Sequence, residues 1–144
     1  MRKGNILNLE DFNKPKIVWA SVGAIEYSHI PKGYLLLDTN YFFAIQSSME
    51  LLAILNSKLL HWWIAKEDTP IGTGGAYRHY KYNLERISIP AISQEIKRRL
   101  QELVISIDSN NEQDKLELYE TEVNKIVYNI YLLTDEEIKE IERN

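Results

Sequence analysis

The spacing of apolar residues constrains the fold of this chain most, because it is helical throughout the carboxyl-terminal third. After Ser93, a plausible N-cap, apolar residues recur every three or four positions in two runs, separated only by the turn-forming residues 108–111. So short a connection predicts an antiparallel helical hairpin. Thr134 and Glu137 form an S/T-x-x-E capping box, which predicts a short third helix. The apolar positions are Ile96, Leu100, Leu103, Val104 and Ile107, then Leu116, Tyr119, Val123, Ile126, Val127, Ile130 and Leu133.

Residues 1–90 carry a different pattern, in which short β-branched or aromatic segments alternate with turn-forming residues. This pattern predicts a small sheet. The alternation of Ile87, Ser88 and Ile89 before Pro90 predicts one more short strand. The other predicted strands are 16–22, 34–37 and 41–46.

One long helix is expected after these strands. Ser47 and Glu50 form an S-x-x-E capping box, and Leu52, Leu55, Leu59 and Trp62 then form an apolar stripe through about Lys66. The predicted fold class is α+β: a small mixed or antiparallel sheet packed on a long helix, followed by an antiparallel helical hairpin and a short terminal helix. Residues 1–144 are expected to form one domain, with 1–90 the sheet-plus-helix part and 91–144 a helical scaffold.

Charge is distributed unevenly along the chain. Its 144 residues carry a formal net charge of −4, which argues at first sight against a nucleic-acid partner. However, residues 1–100 contain 13 basic and 9 acidic residues, a net of +4, whereas residues 101–144 contain 4 basic and 12 acidic residues, a net of −8. A mildly basic body with an acidic tail is compatible with an anionic partner for the body. The absence of cysteine and of a long apolar segment favours a cytoplasmic protein without a membrane partner.

Motifs for catalysis are missing from the sequence. A G-x-G-x-x-G loop would need glycine where Tyr77 stands, and no Asn-Pro-Pro-aromatic motif is present to hold a flipped base. His29, His61 and His79 lack the spacing of metal ligands. We therefore expect no catalytic residue, no metal site and no bound cofactor in this chain, which is not predicted to be an enzyme by itself.

Residues 74–82 combine glycine, basic and aromatic side chains. Arg and Lys contact phosphates, Arg also contacts guanine edges, and aromatic rings stack on bases, so the segment predicts a nucleic-acid contact. The alternative is a surface loop whose tyrosines close the edge of the core. The candidate DNA-binding residues, including two flanking cations, are Lys66, Gly74, Gly75, Tyr77, Arg78, His79, Tyr80, Lys81 and Arg86.

Several segments, taken in order, resemble the TaqI-like C-terminal specificity domain, which is the target-recognition domain of type II and type IIG restriction-modification adenine methyltransferases. The most specific is the L-L-A-I-L-N-S-K-L stretch at 51–59, followed by Gly74-Gly75-Ala76-Tyr77-Arg78 and by Ile87-Ser88-Ile89-Pro90. Weaker matches are Lys14–Val18, Asp38–Phe42, Ile126–Tyr128 and Leu133–Glu137.

The resemblance implies a domain that reads a short sequence in double-stranded DNA, generally through the major groove. It implies a methyltransferase domain or subunit as partner, with or without a nuclease, and S-adenosylmethionine and possibly Mg²⁺ as cofactors of those catalytic parts. We expect Arg78 to contact a base or phosphate, and Lys66, Lys81 and Arg86 to contact phosphates. The competing hypothesis is a protein-interaction module built on the acidic C-terminal helical hairpin, with Tyr119, Tyr128 and Tyr131 as a candidate partner face.

Overall fold

The amino-terminal part of the chain forms two small antiparallel sheets in a computed structural model that describes residues 13–34, 39–43 and 49–143. Their strands are β1 (Lys16–Ala20), β2 (Val22–Gly23), β3 (Ser28–Ile30), β4 (Asn40–Phe43), β5 (Thr69–Ile71) and β6 (Ala76–Arg78). The first sheet has the order β3-β1-β4 and the second has the order β2-β6-β5. The α+β class is confirmed, with the expected strand 16–22 divided between both sheets.

Ser21 is the residue at which the chain passes from the first sheet to the second. Its backbone N–H donates to the Thr39 carbonyl at 2.8 Å, and its carbonyl accepts the backbone N–H of His79 at 2.9 Å. Before it, β1 supplies Ile17 and Trp19 to the core, as its β-branched and aromatic composition predicts. The second sheet is thus joined directly to a strand that is fixed by burial.

The single long helix expected through Lys66 is wrong, because the structure has two helices, α1 (Met49–Leu55) and α2 (Lys58–Glu67). Ser57 is the N-cap of α2, and its side chain accepts a hydrogen bond from the Leu60 N–H. Asn56 bonds across the fold instead, accepting from the Tyr27 N–H at 3.0 Å and donating to the Tyr27 carbonyl at 2.8 Å. Short polar side chains of this kind compete with helical hydrogen bonds. The predicted capping box falls at residue 47, outside the described residues.

The strand predicted at 87–89 is also wrong. A short helix, α3 (Lys81–Glu85), precedes an irregular segment there. The Tyr131 hydroxyl donates to the Ser88 carbonyl at 3.0 Å, so this carbonyl is bonded to a side chain of the helical part. Of the other predicted strands, 35–37 and 44–46 lie outside the described residues, and Tyr34 is in no strand.

The helical hairpin and terminal helix are confirmed as α4 (Gln94–Asp108), α5 (Gln113–Ile130) and α6 (Asp135–Glu142). The Ser93 hydroxyl accepts from the Ile96 N–H, and both bonds of the Thr134–Glu137 capping box are present. Leu132 closes the end of α5 with a left-handed φ of 54°. The Leu133 N–H reaches the Tyr128 carbonyl at 3.1 Å, as in a Schellman cap.

One apolar core joins the helices to the sheets. Helix α1 packs on α4, while α2 packs on α5 and α6. The end of α2 leads straight into β5, so the second sheet is carried on a helix that is packed from several sides. Within the described residues, no helix is both long and apolar enough to span a bilayer. The core residues are Ile17, Trp19, Tyr27, Leu52, Ala53, Ile54, Leu55, Leu60, Ile64, Leu84, Leu100, Leu103, Val104, Val123 and Val127.

Candidate nucleic-acid interface

Strands β5 and β6 form a hairpin whose turn consists of residues 72–75. Gly72 and Gly75 adopt left-handed φ values of 65° and 73°, which L-residues with a side chain rarely adopt. A Cβ built on Gly72, Gly74 or Gly75 would meet no atom within 4 Å. The turn is therefore an exposed backbone loop that extends away from the body of the protein.

Arg78 lies on the outer face of this hairpin. It pairs in register with Thr69 on one side and with Val22 on the other, and residues paired in antiparallel strands share a face. All three are exposed, with Val22 at 48 %. Ile71, opposite Ala76, continues the same face toward the turn. The Arg78 guanidinium is therefore exposed on a face whose other side chains are small or apolar.

Tyr77 and His79 lie on the opposite face, because successive strand residues point in opposite directions. Tyr77 is half-buried and pairs with Gly23 and Pro70, while His79 is buried. The centres of the Tyr77 and His79 rings are 6.3 Å apart. Neither side chain shares a face with Arg78, so the structure separates these sequence-predicted residues into an outer and an inner group.

His79 belongs to a buried polar network beneath the hairpin. Its Nδ1 lies 2.7 Å from Asp68 Oδ2, and its Nε2 lies 3.1 and 3.2 Å from the carbonyls of Gly23 and Ala24. Each ring nitrogen therefore lies within hydrogen-bonding distance of an oxygen atom. Because Nε2 already bonds to main-chain oxygens, the His79–Asp68 pair is not arranged as a catalytic base with a free nitrogen. Its role here is structural.

Asp68 and Asn83 complete this network, and sequence reasoning missed both. The Asn83 side-chain amide donates to Asp68 Oδ1 at 2.8 Å and to the Glu67 carbonyl at 3.0 Å. The Tyr80 backbone N–H also approaches Asp68 Oδ1, at 3.4 Å. Asp68 thus ties the end of α2 to the start of α3, across the base of the hairpin. The only signal in the sequence is the i, i+4 spacing of His79 and Asn83.

Three of the four predicted cations already have partners. Lys81 pairs with Glu85 at 3.2 Å. The Lys66 ammonium lies 3.6 Å from the centre of the Trp62 ring. Both lysines are exposed. Exposed ion pairs and exposed cation–π contacts each stabilise a protein by only about 0–1 kcal/mol, so either lysine can exchange its partner for a phosphate at little cost.

Arg86 is the third partnered cation, and it lies beside Trp63. Its guanidinium pairs with Glu67 at 2.9 Å, and its Cζ atom is 5.8 Å from the centre of the Trp63 ring. Arg78 differs from the other three, since no ion pair or side-chain hydrogen bond joins it to another described residue. Its donors are available to an external acceptor.

Two tyrosines flank the outer face of the hairpin. The ring centres of Tyr80 and Tyr82 are 5.3 Å apart and nearly parallel, at 26°. The Tyr80 hydroxyl lies 3.4 Å from Thr69 Oγ1, which is the cross-strand neighbour of Arg78. Tyr82 is 59 % exposed. The interface therefore offers one unpaired guanidinium, a stacked tyrosine pair and an open glycine turn.

The tyrosines of the competing hypothesis do not form an exposed face. Tyr128 is buried, and its hydroxyl donates to Glu142 at 2.6 Å. Tyr131 bonds to Ser88, and Tyr119 packs against the core. Tyr128 is therefore unavailable as a contact residue, while Tyr119 and Tyr131 are half-buried, and the protein-interaction hypothesis stays a prediction.

Comparisons with known proteins add no relative. No protein-family model matches the chain, and a search of curated proteins found no match.

Proposed function

We propose that this chain is the DNA target-recognition part of a restriction-modification adenine methyltransferase, with the β5–β6 hairpin as the element that enters the DNA groove. The single observation that carries the proposal is the unpaired Arg78 guanidinium, held on the outer face of a hairpin with an open glycine turn. The major groove of B-DNA is about 12 Å wide and admits a two-stranded ribbon. The sequence resemblance supplies the enzyme class.

Arg78 is assigned the base-reading contact in this proposal. A guanidinium can donate two parallel hydrogen bonds to the N7 and O6 atoms of guanine. A side chain that is unpaired before binding loses no internal partner when it forms these bonds. The glycine turn, which lacks side chains at Gly74 and Gly75, lets the backbone approach the DNA closely.

The remaining cations are assigned to phosphates. Lys66 precedes β5 in the chain, and Lys81 and Arg86 follow β6. All three are exposed, and their contacts with their present partners are weak. Tyr80 and Tyr82 are assigned contacts with the sugar-phosphate backbone or an exposed base. His79 and Tyr77 lie on the inner face, so we assign them to supporting the hairpin.

The chemistry of methyl transfer is assigned to a partner domain or subunit. That partner would bind S-adenosylmethionine, and in fused enzymes a nuclease would bind Mg²⁺. We place the assembly in the cytoplasm, where such enzymes meet DNA. The 144-residue chain by itself is expected to leave adenine unmethylated.

The test is fluorescence anisotropy of the 144-residue chain with random and mixed-sequence duplexes between 50 and 200 mM salt. Binding should weaken steeply with salt, because each phosphate contact releases counterions. Arg78→Ala should weaken binding by about 1–3 kcal/mol and relax any sequence preference. Lys81→Ala should weaken all duplexes alike and reduce the salt slope by about 1.

Lys115→Ala is the matched control, since Lys115 is exposed on α5 and pairs only with the nearby Glu112 among the described residues. It should leave binding unchanged. No binding even at 50 mM salt, or equal losses in the Arg78 and Lys115 variants, would refute the assignment. Stable self-association without DNA binding would favour the protein-interaction hypothesis.

A further inference from the structure

A cavity of about 660 Å³ lies on a part of the molecule that the proposed DNA contact does not use. It is bounded by residues 26–29, by the junction of α1 and α2, and by facing residues of α4 and α5. Pockets that bind small organic molecules have volumes of about 300–1,000 Å³. The cavity therefore has the size of a ligand site.

One side of this cavity is lined by apolar residues of three helices. Leu52 and Ala53 of α1, Val104 of α4 and Val123 of α5 are all buried core residues that also line it. These side chains belong to three helices that pack on one another, so the lining is preformed. A ligand with an apolar body would be desolvated against it.

Carboxylates surround this apolar lining. Glu26, Asp108 and Glu120 line the cavity and are exposed. Lys58 is the only lysine or arginine among the described lining residues. Its ammonium is paired with Glu142, which does not line the cavity. The lining therefore has an excess of negative charge.

His61 also lines the cavity, near the Glu26 carboxylate. Burial lowers the pKa of the imidazole below its ordinary value, and the nearby Glu26 carboxylate opposes that shift only in part. The His61 Nε2 atom is buried and has no hydrogen-bond partner among the described residues.

We propose that this cavity binds a compact organic cation, with an amidinium or ammonium group toward Glu26, Asp108 or Glu120 and an apolar body against Leu52, Val104 and Val123. An anionic ligand would be repelled by the three carboxylates, and a neutral ligand would gain no attraction from them. Charge-assisted hydrogen bonds to carboxylates are roughly twice as strong as neutral ones. Shape and charge together select the cation.

The probe is benzamidine, and its matched control is benzamide, which has nearly the same shape without the charge. Each is titrated into the isotopically labelled 144-residue chain, and binding is followed through the methyl resonances of Val104 and Val123. Benzamidine should give saturable shifts at these methyl groups. Benzamide should bind about tenfold more weakly, because it loses the charge and keeps the ring.

Substitutions on the rim separate this site from general attraction to an acidic protein. Glu26→Gln and Glu120→Gln should each reduce benzamidine affinity several-fold and leave the weak benzamide binding unchanged. Glu136→Gln is the control, because Glu136 is an exposed residue of α6 outside the cavity. The amide spectra of all three variants report whether the fold is retained.

Three results would overturn the proposal: no saturable shift at the valine methyl groups, equal affinity for benzamide and benzamidine, or an equal loss of affinity in the Glu136 variant. The readout does not involve DNA. Failure of the DNA proposal would therefore leave this one standing, and the reverse also holds.

Discussion

The β5–β6 hairpin and the helical hairpin α4–α5 are stabilised in different ways. The helices bury apolar stripes such as Leu100, Leu103 and Val127 against the rest of the core. The β-hairpin has strands of only three residues and an exposed outer face, and the group that fixes its base is the buried polar network around Asp68. Apolar packing tolerates small adjustments, whereas a buried polar network requires every hydrogen-bond partner. The polar network around Asp68 therefore holds the base of the β-hairpin in one orientation.

Removal of the Asp68 carboxylate should have the largest effect. Asp68→Ala leaves buried polar groups of His79 and Asn83 without their partner, and each buried polar group left unsatisfied costs about 1–3 kcal/mol. The free energy of unfolding is measured in urea. Glu85→Ala, at an exposed carboxylate, is the control and should change stability by less than about 0.5 kcal/mol. Equal effects of the two substitutions would show that the network does not fix the hairpin.

Leu100→Ala tests the helical side of the comparison. Leu100 is completely buried, and truncation of such a leucine costs about 2–5 kcal/mol. The same urea titration measures it, with Ile105→Ala as the control because Ile105 is 60 % exposed. The Leu100 variant is expected to retain the hairpin geometry once folded, so nuclear magnetic resonance shifts at Arg78 should stay in place. Large shifts at Arg78 would mean that the two regions are not independently stabilised.

Gly75→Ala tests the turn alone. A side chain at a left-handed φ of 73° costs about 1–2 kcal/mol, even though a Cβ there has open space. Amide hydrogen exchange in β5 and β6 should accelerate accordingly. Gly74→Ala is the matched control, since Gly74 has the same open surroundings and no positive φ. Equal acceleration in both variants would rule out the conformational explanation.

The smallest effect is expected from pH at the terminal helix. Hydrogen bonds from Lys58 and Tyr128 hold the pKa of Glu142 below its ordinary value. Because the folded state binds the proton more weakly, the stabilisation is present above the unfolded pKa of about 4.3 and is lost as the pH falls below it. Glu142→Gln should reduce this acid-dependent loss of stability, as measured by thermal melts between pH 3 and 7. A profile that the substitution leaves unchanged would refute the assignment.

The helical part could be predicted from the sequence because its determinants are local. Helical spacing, the Ser93 cap and the Thr134–Glu137 box each act within a few residues. The break between α1 and α2 depends instead on Asn56 bonding to Tyr27, which is 29 residues away. A pattern within one segment contains no information about such a partner.

The candidate site also combines features that local sequence predicts with features that depend on distant residues. Its composition drew attention to residues 74–82, and Arg78 and the glycine turn are exposed in the structure. The inward position of His79 follows from pairing with Asp68 and with the carbonyls of Gly23 and Ala24, which are distant in sequence. Alternation along β6 would have separated Tyr77 from Arg78, had the segment been recognised as a strand.

Ser21 has a mechanical consequence, because its single residue is bonded on both sides: to Thr39, beside β4, and to His79, at the end of β6. Ser21 therefore links the end of β6 to the strand that carries the core side chains Ile17 and Trp19. A displacement of β6 relative to β1 would have to lengthen or break the hydrogen bond between the His79 N–H and the Ser21 carbonyl.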